Sequence, residues 1–169
     1  MSWKYRRCCG IDVHKDQVTV CVLPPDGQQG EVVVKVYRTF TENLRQLRFW
    51  LQALKVTEVA MESTGVYWRP VWNVLEGHFR LLLVNPAQVK ALLGRKSDRR
   101  DARRIAEFLR DQRLDASFVP PPEIRYLREL LRDRVSLVEE RTRVGNQIRA
   151  LLETANIKLG SVASDVLGQ

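Results

Sequence analysis

Four carboxylates stand where oxygen ligands for a divalent cation would be wanted: Asp12 in GIDVHKD, Glu62 in VAMESTG, and Asp98 and Asp101 in KSDRRDA. Asp12 and Glu62 lie at or near the ends of apolar, β-type runs. Asp98 and Asp101 open a helical pattern, and their spacing places both on one face of its first turn. Lys96, Arg99, Arg100, Arg103 and Arg104 crowd around that pair. Hard oxygen donors inside an Arg-rich setting point to Mg²⁺ on a surface built for phosphodiesters. Two such ions, roughly 3.5–4 Å apart, activate a nucleophilic oxygen and stabilise the leaving one, with no histidine or cysteine nucleophile required.

Taken singly, each carboxylate has a plainer role. Asp12 is flanked by Ile11 and Val13, and strand alternation lets it face water as readily as the interior. Glu62 reads equally as a strand-end charge, Asp98 as a helix N-cap, and Asp101 as a favourable charge near a helix start. The conjunction carries the metal reading. His14 and His78 are too few and too far apart for a zinc set, and each reads as a turn or surface histidine. Ser63, Thr64 and Ser97 sit beside proposed ligands and read as caps or supporting donors. Cys8, Cys9 and Cys21 form an odd set without CxxC spacing, which argues for buried free thiols over a disulfide framework or a zinc site.

Positioning such a site requires a sheet. Arg7–Val13 and Val18–Leu23 read as a hairpin about the break at His14–Asp16, followed by a turn at Pro24–Gly27 and a third strand at Glu31–Tyr37. Helical spacing begins after Thr41, taken as its N-cap, through Leu44, Leu47, Trp50, Leu51 and Leu54. Glu58–Glu62 is a short buried strand, and a helix runs through Tyr67, Val71 and Leu75. Phe79–Val84 is an apolar central strand, and Asn85-Pro86 starts another helix. The order β-β-β-α-β-α-β-α predicts an α/β, RNase H-like mixed sheet with helices on both faces.

The expected organisation is a catalytic domain over 1–115, a Pro-rich linker at 116–122, a long helical region at 123–160 and a tail at 161–169. In the helical region Leu130, Leu137, Val144 and Leu151 recur at heptad spacing. Leu127, Arg134, Arg141, Ile148 and Ala155 form the companion positions, and Leu131, Val138 and Leu152 broaden the face. Such a helix needs a partner, either its own domain or a second copy through residues 123–155. Gly145 is either a small-residue contact or a break.

The 169 residues carry a net charge of +8, with 21 Arg against 7 Lys, a balance suited to a polyanionic partner. Residues 95–149 hold 15 basic and 10 acidic side chains, a mixture that also fits a solvated helix. The N-terminus lacks the apolar run of a signal peptide, and no segment approaches a membrane span, so membrane association is not expected.

GIDVHKD, AMESTGVYW, VNPAQVK and KSDRRDARRIAEFL, in that order across about residues 8–155, closely resemble the DEDD transposases of bacterial insertion sequences, a family of bridge-RNA-guided DNA recombinases. The resemblance implies a RuvC-type catalytic domain followed by a coiled coil, with Asp12, Glu62, Asp98 and Asp101 as the catalytic Mg²⁺ ligands and Mn²⁺ as a substitute. It implies DNA and a guide RNA as partners, a homo-oligomer, and a bacterial cytoplasmic, nucleoid-associated setting. Family members also carry a C-terminal domain with a catalytic serine. That domain is expected to be absent from a chain ending at Gln169, and Ser161 and Ser164 match no family motif. Full recombination would then need the serine-bearing domain. The alternatives are a stand-alone RuvC-like nuclease acting on branched DNA, and a non-catalytic nucleic-acid-binding or dimerisation fragment. An actin-like ATPase would need two such domains, more than this length allows.

Overall fold

β-branched and apolar residues fill two short runs around a tight turn, and they pair as the hairpin β1 (Cys8–Val13) and β2 (Gln17–Val22). The computed structural model describes residues 7–25, 30–63, 65–92 and 98–158; at 90–92 and 98–100 the description is of the backbone. The remaining elements are β3 (Val33–Arg38), α1 (Thr41–Ala53), β4 (Glu58–Glu62), α2 (Trp68–Leu75), β5 (Arg80–Val84), α3 (Pro86–Leu92), α4 (Asp98–Arg110) and α5 (Pro122–Thr154). The strands form one mixed sheet in the order β3-β2-β1-β4-β5, antiparallel through the meander and parallel from β1 to β4 to β5. This is the predicted α/β architecture.

β1 is central and buried along its whole length, as a strand covered on both faces must be. Its alternation divides the core. Cys9, Ile11 and Val13 enter the larger cluster with Leu44, Leu47 and Leu51 of α1 and Val71, Trp72 and Leu75 of α2. Cys8 faces the other side with Ile105 and Leu109 of α4, while Cys21 and Leu23 meet Ala102 and Ala106. Gly10 is where α4 comes closest. A Cβ built there would lie 2.2 Å from the Ala102 carbonyl oxygen and 2.4 Å from the Ala106 nitrogen, both immovable backbone. The two alanines and the missing side chain together let helix and strand backbones touch.

Several element ends differ from expectation. Thr41 is the first helical residue of α1, not its cap: extended Phe40 takes the N-cap position, and its carbonyl accepts from the Leu44 N–H at 3.0 Å. Asn85 does cap α3, its Oδ1 accepting from the Ala87 N–H at 2.8 Å. α2 starts at Trp68, with Tyr67 at its N-cap. α5 ends at Thr154, short of the helical region expected over 123–160, because Asn156 adopts a left-handed φ of 58° and the Ile157 N–H turns back to Leu152. Gly145 does not break α5; it is buried inside an unbroken helix.

The three thiols are free and buried. Burial pushes the Cys9 thiol well above its ordinary range, with Cys21 and Cys8 adding to the effect. Burial likewise pushes Cys21 to about 11, against a downward pull from Arg103 and a further rise from Glu107. Both therefore stay protonated near neutrality.

The chain divides into two compact units, residues 1–119 and 120–169. Within the first, the segment after α4 seals the β5 edge. Ala116 bridges Val84, the Ser117 N–H donates to the Leu83 carbonyl at 2.7 Å, and Val119 packs on the larger core cluster. The second unit is dominated by α5, whose Leu127, Leu130, Leu137, Val144 and Leu151 are all exposed. No helix among the described residues is long and apolar enough to cross a membrane.

The contact at Gly10 generates a stability prediction. Gly10→Ala forces α4 off β1 and costs at least about 2 kcal/mol, as an overpacked core does. A denaturant titration that returns wild-type stability for this variant refutes the close approach.

Candidate metal and nucleic-acid site

Strand register brings the first two carboxylates to the same sheet edge. β1 and β4 run parallel with Ile11 opposite Met61, so one further step along each strand places Asp12 beside Glu62. Side chains alternate across a strand, and Gly10 and Ala60 both face α4; Asp12 and Glu62, two residues on, therefore belong to that same face. The polar interruption of β1 thus points inward. Asp12 is only 7% exposed, opposite buried Thr19 of β2.

A buried carboxylate is costly unless it is compensated. His14 supplies one compensation: its Nε2 lies 3.0 Å from Asp12 Oδ2, with the ring half open to solvent. His14 is an exposed histidine in the turn after β1, as expected from the sequence, and from two residues away it also reaches back to Asp12.

The helix arrives from the other direction. Cys8 meets Ile105 and Leu109, and Gly10 meets Ala102 and Ala106, so α4 runs antiparallel to β1 with its first turn at the Asp12 end. Ala102, Ile105, Ala106 and Leu109 form its buried stripe. Positions 98 and 101 continue that stripe backwards, four residues before Ala102 and Ile105. Asp101 is half-buried, and Asp98 is the first helical residue, described by its backbone. The core-facing stripe of α4 therefore becomes acidic as it reaches the ends of β1 and β4. Among the described residues, no three His, Cys, Asp or Glu side chains sit close enough together to hold an ion. The described donors at this end are carboxylate oxygens and one imidazole, a set suited to a hard divalent cation.

The basic residues sort by helical phase. Arg103 lies on the flank of α4 near Cys21 of β2, where its Nε pairs with Glu107 Oε1 at 2.8 Å. Arg104 lies on the opposite flank, which it shares with Asp101, beyond Ile105 and towards β4 and β5. Its Nη1 is buried without a hydrogen-bond partner. Arg99 and Arg100 are placed by backbone alone in the first turn, and Lys96 lies outside the described residues.

The sequence model of a transposase family, the IS110-type DEDD class, matches residues 9–157. Among solved structures, the chain is similar to Thermus thermophilus RuvC, at 16% identity and a TM-score of 0.50, covering 66% of this chain and 99% of that one. It is similar also to T. thermophilus RuvC in complex with a Holliday junction substrate, at 16% identity and a TM-score of 0.52, covering 67% and 100%. These likenesses show a shared RuvC-like fold. No curated protein sequence matches.

Proposed function

This chain belongs to the IS110-type DEDD transposases, and on that premise we propose that Asp12, Glu62, Asp98 and Asp101 hold two Mg²⁺ ions, replaceable by Mn²⁺, and cut DNA phosphodiesters. The observation that carries this reading is the meeting of three elements at one edge. Two parallel strand ends and the first turn of an antiparallel helix each bring an acidic residue to the same face of the sheet. When bound, the ions supply Lewis-acid stabilisation and a nucleophilic oxygen at neutral pH. Asp12 presents an oxygen from a rigid, central, buried strand, and His14 fixes that carboxylate's orientation. Glu62 approaches from the neighbouring strand, and the pair on α4 closes the site from above the sheet.

Arg104 meets a phosphate oxygen of the bound strand. The residue is only half-buried, on the flank it shares with Asp101, so the open part of its guanidinium can meet an anionic oxygen there. Lys96, Arg99, Arg100 and Arg103 supply the longer-range attraction, with Arg103 partly neutralised by Glu107.

Family membership also underlies the remaining proposals. A bridge RNA selects the DNA, a serine-bearing C-terminal domain completes recombination, and the work takes place at a bacterial nucleoid. The exposed seam of α5 is covered by a second copy of this chain. Arg134 and Arg141 interrupt that seam, and Asp133 and Glu140 immediately precede them. In a parallel pair, these carboxylates of one copy reach the arginines of the other.

Three outcomes are expected. Mg²⁺ or Mn²⁺ raises the melting temperature of the wild-type protein in calorimetry, whereas Asp12→Asn abolishes both that shift and DNA cleavage while the protein stays folded; an unchanged shift removes the metal assignment. Arg104→Ala weakens duplex binding about tenfold and lowers the salt slope by about one, while Arg103→Ala changes affinity less than about twofold; the reverse order overturns the flank assignment. Leu137→Asp converts a dimer into a monomer in sedimentation; a monomeric wild type would sink the α5 pairing. Cleavage of branched DNA by this chain without guide RNA or a serine domain would favour the stand-alone nuclease instead.

A further inference from the structure

The turn after β4 carries an aromatic that no core claims. Gly65, Val66 and Tyr67 connect Glu62 to α2, and they sit at the end of the sheet where Asp12 and Glu62 lie. Val66 is 59% exposed and Tyr67 39%, although the residues just beyond are firmly anchored. Trp68 packs edge-on against Trp72 at 5.9 Å between ring centroids, and Val71, Trp72 and Leu75 lie in the larger core cluster. The Arg69 N–H closes the turn on the Val66 carbonyl. Tyr67 is therefore held at its backbone by a rigid helix start while its ring remains accessible.

Gly65 completes the device. Its φ of +53° is a conformation that residues with side chains rarely adopt. A Cβ there would also touch the Tyr67 ring, 3.7 Å from Cδ2 and Cε2. The glycine both makes the bend and leaves that edge of the ring bare.

An exposed, preorganised aromatic five residues from Glu62, a proposed metal ligand, has one natural occupant in a DNA-acting protein. A base released from its pair offers a flat apolar face, and stacking on a fixed ring recovers part of what unpairing loses. We propose that Tyr67, backed by Val66, is the stacking platform for an unpaired base of the DNA next to the phosphate that is cut. The inference rests on the DNA-cleaving role proposed above and adds a residue that sets substrate shape: strands with an unpaired or flipped base beside the cut are preferred over intact duplex. The ring acts by stacking, so its hydroxyl is dispensable.

The test uses the full chain in Ca²⁺, with a forked DNA carrying 2-aminopurine at the first unpaired position. The wild-type protein and Tyr67→Phe are expected to quench the 2-aminopurine fluorescence at saturation. Tyr67→Ala should bind the fork about tenfold more weakly, leave the probe unquenched when saturated, and lose its preference for fork over duplex. Its melting temperature should match the wild type, because the ring lies outside the core. Equal quenching by Tyr67→Ala and wild type overturns the stacking role while leaving the DNA reading intact. A Tyr67→Ala variant with unchanged DNA behaviour but altered sedimentation assigns the ring to a protein contact, which also overturns it. Failure of the wild type to bind either fork or duplex overturns the DNA reading itself, and the platform with it.

Discussion

The touching backbones of β1 and α4 at Gly10 are the constraint on which the rest of this molecule depends. Helices ordinarily lie on sheets with a layer of side chains between them. Here Ala102 and Ala106 face a glycine, and the layer vanishes for one turn. This separation brings the first turn of α4 down towards the strand end that carries Asp12. A larger residue at any of the three positions would lift the helix and move Asp98 and Asp101 away from Asp12. The smallest side chains in the core therefore govern the geometry of the most polar end.

That end carries an electrostatic burden that the fold offsets locally. Asp12 sits on a strand buried along its full length, a place where an uncompensated charge costs several kcal/mol. His14 answers part of this from the same strand end, and α4 carries arginines on both flanks. Their division is informative: Arg103 is satisfied by Glu107 on one side, whereas Arg104 keeps a buried nitrogen without a partner on the side of Asp101.

Much of this architecture was legible in the amino-acid pattern, because β-branched runs and 3.6-residue spacing report burial directly. The strands at Cys8–Val13, Glu58–Glu62 and Arg80–Val84 and the helices on either face follow from those signals. What escaped depended on tertiary context. Asp12 between Ile11 and Val13 had two faces available, and only the packing of α1 and α2 on one side and α4 on the other shows that both are covered. Thr41 lost the capping position to Phe40 because backbone geometry, not side-chain chemistry, begins that helix. Asn156 carried a readable stop signal that the heptad pattern overran. Arg103 and Arg104 are indistinguishable as letters, and a rotation of one residue separates an ion pair from a buried, unpartnered nitrogen.

The sequence distance across the Gly10 contact has a consequence for the protein's birth. β1 leaves the ribosome early, but the helix that must settle on it follows some ninety residues later, from Ala102 onwards. At ordinary translation speeds that interval is on the order of ten seconds. Throughout it, Asp12 and Glu62 can be present and even paired in register while half of the acidic set has not been synthesised. The acidic end of the first unit is therefore assembled last, by the order in which its residues are made.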